Sequence, residues 1–208
     1  MARGSDPINS IVTQSYFNRL ADIWDEKIAE KDPGKLANMA NRLDIYSGST
    51  VLDVGTGTGV FVPFLLQKIG PEGKLVCLDF AEEMLKKLIS KKFKGNISYF
   101  CADIAHSQLA DRSFDAVVCY SVFPHFGNKV MILSEINRLL KNDGGLFICH
   151  TSSRQSINEI HRSQPELCAH LFPENDEVRQ MLIEAGFTDI RISEGKNDYL
   201  AAARRISN

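Results

Sequence analysis

The chain has 208 residues, 44% of them apolar, which suffices for one domain with a sizeable core. Its 24 basic and 26 acidic residues leave a formal charge of −2, so nothing draws it generally to nucleic acid or an anionic membrane. The longest apolar run, 60–66, is broken by Pro63 and far too short to cross a bilayer, and the N-terminus lacks the basic-then-apolar pattern of a secretion signal. A cytoplasmic protein without nucleic-acid or membrane partners is expected.

The start "MARGSDP" carries no fold pattern. Residues 8–31 read as one amphipathic helix, with Val12, Tyr16, Leu20 and Trp24 recurring every four positions. Lys31-Asp32-Pro33-Gly34 breaks it, and a second helix is predicted over 35–43. From residue 50 strands and helices alternate. Strand "TVLDV" precedes a helix at 59–69, and strand 74–80 a helix at 81–94. Strand 97–101 leads by a short connection to strand 114–121 and a helix at 128–140. Strand 145–151 is followed by helical segments up to Ala185, with Gly186 as the C-cap. "TDIRISE" and "DYLAAARRI" close the chain as two strands around Gly195-Lys196.

Repeated β-α units predict an α/β fold, a doubly wound sheet of seven strands. The last two strands are joined by too few residues for a crossover, so they must be antiparallel. One domain is expected, a helical cap over 1–46 on a core over 47–208.

The stretch "STVLDVGTGTGVF" is a strand, a glycine-rich turn and the start of a helix, where backbone N–H groups can meet a ligand. A dinucleotide turn would read G-x-G-x-x-G, whereas Gly55, Gly57 and Gly59 are spaced G-x-G-x-G behind Asp53. A carboxylate there repels a pyrophosphate and suits an amine or a sulfonium. No Gly-Lys-Ser/Thr follows, which excludes a P-loop.

With these motifs in order, the sequence resembles the class I S-adenosylmethionine-dependent methyltransferases over about residues 15–205, and so implies a Rossmann-like fold. "VLDVGTGTG" is similar to the family's first motif, in which Asp53, Gly55, Thr56, Gly57 and Gly59 would wrap the methionine part. The resemblance implies that Asp79, followed by Phe80, holds the ribose hydroxyls, and that Asp103 and Ile104 of "CADIAH" meet the adenine. "FDAVVCYSVFPHF" resembles the fourth-strand motif, placing Tyr120 and Ser121 at the cofactor, and "INRLLKNDGGLFI" the helix, turn and strand that follow. "YFNRLADIWDE" is similar to the opening helix of the small-molecule branch, including quinone-biosynthesis methyltransferases, where it covers the cofactor. Ser121-Val122-Phe123-Pro124 departs from the Pro-Pro-aromatic motif of exocyclic-amine methyltransferases, and no Pro-Cys nucleophile serves pyrimidine C5 chemistry. The reading is therefore methyl transfer to a small molecule. A nucleotide-binding oxidoreductase and a non-catalytic binding module are the alternatives.

His125 follows the fourth strand, His150 ends the fifth, and His161 lies one helical segment later, within the polar run "HTSSRQSINEIHR". Neighbouring strand ends share one sheet edge, so the three are expected to converge on the acceptor, as a general base or as ligands for a divalent metal. Of the five cysteines, Cys77, Cys101, Cys119 and Cys149 fall in or at the end of strands and read as small buried hydrophobes in a reducing compartment, with Cys119 or Cys149 near enough to a strand end to reach a site.

Overall fold

A computed structural model describes residues 7–206, with side chains from residue 11 onward; residues 1–6 of the "MARGSDP" start lie outside the described residues. Strands β1 (Thr50–Val54), β2 (Lys74–Asp79), β3 (Ile97–Cys101), β4 (Phe114–Tyr120), β5 (Leu140–His150), β6 (Phe187–Glu194) and β7 (Tyr199–Arg205) form one sheet of order β3-β2-β1-β4-β5-β7-β6. β7 runs antiparallel to both its neighbours, and the pairs from β3 to β5 are parallel.

The strand side chains alternate between two cores, as a period of two requires. Leu52, Val54, Val117 and Ile148 pack on one face with apolar residues of α6 (Lys129–Leu139), α7 (Arg154–Arg162) and α8 (Asn175–Glu184). Val51, Val118 and Cys149 pack on the other with α3 (Pro33–Arg42), α4 (Val62–Ile69) and α5 (Glu82–Ser90). Near-continuous apolar runs such as "TVLDV" follow from burial on both faces. The C-cap of α8 is Ala185, and Gly186, expected at that position, follows it with φ +84°. No helix among the described residues is long and apolar enough to cross a membrane.

Several boundaries differ from the sequence reading. The single helix expected over 8–31 is two, α1 (Pro7–Leu20) and α2 (Trp24–Lys27), separated by a turn. Polar anchors set that bend. Asn18 accepts from the Glu83 N–H at the start of α5, Asp22 and Asp25 pair with Lys87 and Lys91, and the Thr58 hydroxyl donates to Asp25. A straight helix would not reach all of these points. β5 begins at Leu140 and not 145, because the "KNDG" turn is drawn into a strand whose pairing with β4 shifts register between Phe114 and Ala116. α4 starts at Val62 and α5 stops at Ser90, since the glycine loop and the Lys91 turn are not helical. Cys77, Cys119 and Cys149 are buried as read, but Cys101 is exposed because β3 is an edge strand.

Candidate active site

The C-terminal ends of β1, β2, β4 and β5 meet under α1 and α2. Two adjoining spaces open there, one of about 1320 Å³ above the glycine loop and one of about 740 Å³ beside β2 and β4. They share Gly55, Asp79, Phe80, Val122 and His125 in their walls.

All three loop glycines have positive φ, +66° at Gly55, +55° at Gly57 and +83° at Gly59, which an L side chain rarely adopts. Their surroundings separate them. A Cβ at Gly55 would lie 2.2 Å from Val122, and one at Gly59 would lie 2.2 Å from Leu88. A Cβ at Gly57 would meet nothing within 4 Å, so this glycine faces the open cavity.

Asp79 lines both spaces. Its carboxylate accepts from the Gly57 N–H at 2.7 Å and the Ala81 N–H at 2.8 Å, which fastens the loop to β2. Burial nevertheless pushes its pKa up to about 6, against the pull of those backbone bonds. Asp53 lies beneath the loop, where it accepts from the Thr56 hydroxyl at 2.6 Å. Burial raises it to about 7, and the neighbouring Asp79 adds to the rise. Two buried carboxylates without a cation are costly, and they make this end of the cavity receptive to positive charge.

Of the residues expected at a cofactor, Gly55, Thr56, Gly57, Asp79, Phe80, Asp103, Ile104, Tyr120 and Ser121 line one or both spaces. Asp53 and Gly59 do not, and serve as framework behind the wall. Asp103 accepts from the Ala105 N–H at 3.0 Å and starts the short turn Ile104–His106. Tyr120 stacks on Phe61 at 4.5 Å and hydrogen-bonds Thr151 at 2.8 Å, so its hydroxyl is committed to the fold. Burial raises that phenol to about 12.

His125, His150 and His161 all line the larger space. The His125 ring lies 4.9 Å from His161 and 5.4 Å from His170, with Phe17 of α1 5.0 Å away on edge. Sequence reading missed His170, which sits in a stretch without periodicity and returns to the site only through the fold. Its imidazole lies 3.3 Å from the Thr13 hydroxyl of α1, and its carbonyl meets His161 Nδ1 at 2.5 Å. Burial lowers the pKa of all four histidines, His125 far below the usual value and His150 to about 3. His125 Nδ1 and His150 Nε2 are sealed from solvent with no hydrogen-bond partner among the described residues.

The divalent-metal option finds no support in this arrangement. Among the described residues no group of three or more His, Cys, Asp or Glu side chains is placed to hold an ion.

The polar residues before His161 hold the wall. Ser153 caps α7 by accepting from the Ser156 N–H, and Arg154 pairs with Glu174 and Glu194. Asn158 is buried, accepts from the Phe172 N–H at 2.6 Å and donates to the Phe172 carbonyl at 3.1 Å. This clamp fixes the segment carrying His170, and Phe172 in turn packs on edge against His150 at 5.1 Å. Lys129 donates to the carbonyls of Pro124 and Phe126, bracing the turn that presents His125.

Around the histidines the wall of the larger space carries Tyr16, Phe17, Ile157, Ile160 and Leu167, with the polar Thr151 and Ser152 beside His150 and Glu30 also in the lining. Among the described residues, no lysine or arginine lines either space.

A family model described as a methyltransferase domain matches residues 45–186. The chain is similar to a demethylmenaquinone methyltransferase of Geobacillus kaustophilus, at 26% identity over 74% of this chain and 77% of that protein. It is also similar to a ubiquinone/menaquinone biosynthesis C-methyltransferase of Teredinibacter turnerae, at 34% identity over 54% of this chain but only 47% of that protein. In fold it matches a crystal structure of a SAM-dependent methyltransferase from Aquifex aeolicus, with a TM-score of 0.69 and 24% identity over 93% of this chain and 98% of the other.

Proposed function

The chain belongs to the methyltransferase domain family, and on that premise we propose that it methylates a small, uncharged, hydroxyl-bearing aromatic molecule from S-adenosylmethionine. The observation that carries the acceptor class is the wall itself. Around the histidines the wall is built mainly of aliphatic and aromatic side chains, with Thr151 and Ser152 as polar members beside His150 and, among the described residues, no lysine or arginine to hold a phosphate or carboxylate. Relatives named for quinone acceptors agree with such a molecule.

The cavity suits the cofactor. Gly57 leaves its face of the loop open, Asp79 offers hydrogen-bond acceptors to ribose hydroxyls, and the buried Asp53–Asp79 pair favours positive charge. Phe80, Ile104 and Val122 supply the apolar walls an adenine needs, with Asp103 at the rim for its amino group. S-adenosylmethionine supplies an electrophilic methyl group whose transfer asks little covalent help of a protein. What remains for the chain is alignment, exclusion of water and removal of a proton. The aromatic face of α1 and α2 closes the space from above, with Phe17 5.6 Å from Trp24 and 6.2 Å from Phe80. The free cysteines fit a reducing cytoplasm.

The test is turnover with labelled S-adenosylmethionine, using 1,4-naphthohydroquinone, a simple phenol, an alkyl thiol and a primary amine as acceptors. Label is expected on the hydroquinone or phenol, not on the thiol or amine. Binding without transfer to any of the four would favour a non-catalytic binding module.

The cap gives a second prediction. Trp24 is the only tryptophan and lines the cavity. S-adenosylhomocysteine is expected to change its emission and to slow proteolysis within residues 1–34. Emission and cleavage indifferent to that ligand would make α1 and α2 permanent packing, not a lid.

A further inference from the structure

We infer that His161, held in its Nδ1–H tautomer by the main-chain carbonyl of His170, presents Nε2 to the cavity as the base that deprotonates the acceptor. This deepens the methyl-transfer reading and rests on it.

The argument begins with one hydrogen bond. A carbonyl oxygen only accepts, so the ring nitrogen 2.5 Å from it must carry the hydrogen. A neutral imidazole has one N–H, which leaves the lone pair on Nε2. His161 lines the larger space, and Nε2 has no hydrogen-bond partner among the described residues.

The neighbouring histidines lack this arrangement. His150 carries its unpartnered nitrogen sealed in protein, and burial leaves it too weak a base at about 3. His125 has a sealed Nδ1 without a partner among the described residues, and it is held neutral by burial and by the surrounding imidazoles. His161 is lowered by burial, but its bond to the His170 carbonyl partly restores its basicity. The His170 carbonyl is itself fixed, because Asn158 of the same helix holds the main chain of Phe172 on both sides. A backbone oxygen thus takes the place that a carboxylate often takes behind a catalytic histidine.

In the step assigned to it, the acceptor hydroxyl X–H gives its proton to His161 Nε2, X being the oxygen that is methylated. The X–C bond forms as the methyl–sulfur bond breaks, leaving its electron pair on sulfur. The resulting imidazolium returns the proton to water. The imidazoles around the ring are His125, His150 and His170, with Lys129 beyond His170, and Tyr16, Glu30 and Asp79 line the same space. The neighbouring imidazoles do not stabilise the imidazolium, which favours proton release to water.

Two measurements test the assignment. In wild-type protein saturated with S-adenosylhomocysteine at pH 7.5, ¹⁵N imidazole spectra should show His161 with a protonated Nδ1 and an unprotonated Nε2. An Nε2–H tautomer or an imidazolium would overturn the assignment, whether or not any acceptor turns over. His161→Asn keeps an N–H for the His170 carbonyl while deleting Nε2. With 1,4-naphthohydroquinone it should lower kcat by about 100-fold or more, leaving the affinity for S-adenosylhomocysteine unchanged. The acidic limb of the wild-type kcat profile, set where His161 protonates below the usual histidine range, should vanish in the variant. Wild-type kcat with the limb intact would overturn the inference. If His161→Asn fails to fold, His161→Gln and the wild-type spectra decide. A wild-type protein inert toward every acceptor would count against the proposed function, and the tautomer would still be read directly.

Discussion

Asp79→Ala is expected to weaken S-adenosylhomocysteine binding by about 1.5–3 kcal/mol, or about 10- to 150-fold, the scale of hydrogen bonds to an ionised group. The carboxylate works in two directions. Toward the protein it gathers the N–H groups of Gly57 and Ala81, and it also lines the cavity, where in the proposed function its remaining lone pairs would meet the cofactor's hydroxyls. Alanine removes both functions, so part of the loss reflects a loosened loop. Asp79→Asn separates the two, because an amide oxygen still accepts one backbone N–H but brings no charge. Its affinity should fall between those of wild type and Asp79→Ala. Titration calorimetry reads all three proteins, and an unchanged Kd in Asp79→Ala would remove the residue from the site.

The place of Asp79 beside the glycine turn was legible in the sequence because it depends on local pattern. A strand ending in an acid, one βα unit after a glycine turn, puts the acid beside that turn in any parallel sheet of this order. The strands were legible for the same reason, as short apolar runs bounded by turns. The bend between α1 and α2 was not, since periodicity continues through it and the cause lies in contacts with Thr58, Glu83, Lys87 and Lys91. His170 and Asn158 were hidden in a similar way. Thr13 and His170 are 157 positions apart, and Asn158 and Phe172 are 14 apart across an irregular loop. No spacing rule joins such pairs. The convergence of His125, His150 and His161 could be expected from adjacent strand ends, but their individual chemistry could not. That depends on which ring nitrogen meets a carbonyl and which is sealed.

S-adenosylmethionine affinity is expected to fall by at least about tenfold between pH 8 and pH 5. In the free protein burial holds Asp79 at about 6 and Asp53 at about 7, both above the ordinary carboxylate value. A raised folded pKa means that protonation favours the free fold. That contribution is complete below the unfolded value and is lost as pH rises through 6 and 7. A ligand with a sulfonium and an ammonium has the opposite preference, because it favours the ionised pair. Binding must then expel protons at low pH, and affinity climbs with pH until both carboxylates are charged. At pH 5 Asp79 lies about one unit below its pKa, an opposing ~1.4 kcal/mol, and Asp53 adds whatever part of the ligand's charge it senses through the loop. The buried histidines pull the free fold's stability the other way, since their folded pKa values are lowered and their contribution is lost as pH falls. Melting temperatures therefore mix the two trends, whereas affinity and proton release isolate the carboxylates. Calorimetry near pH 6.5 in two buffers of different ionisation heat should register protons released on binding, and Asp53→Asn should reduce that release. A constant Kd from pH 5 to pH 8 without proton release would mean that the pair does not sense the ligand's charge, and the electrostatic preference of this end of the cavity would fall with it.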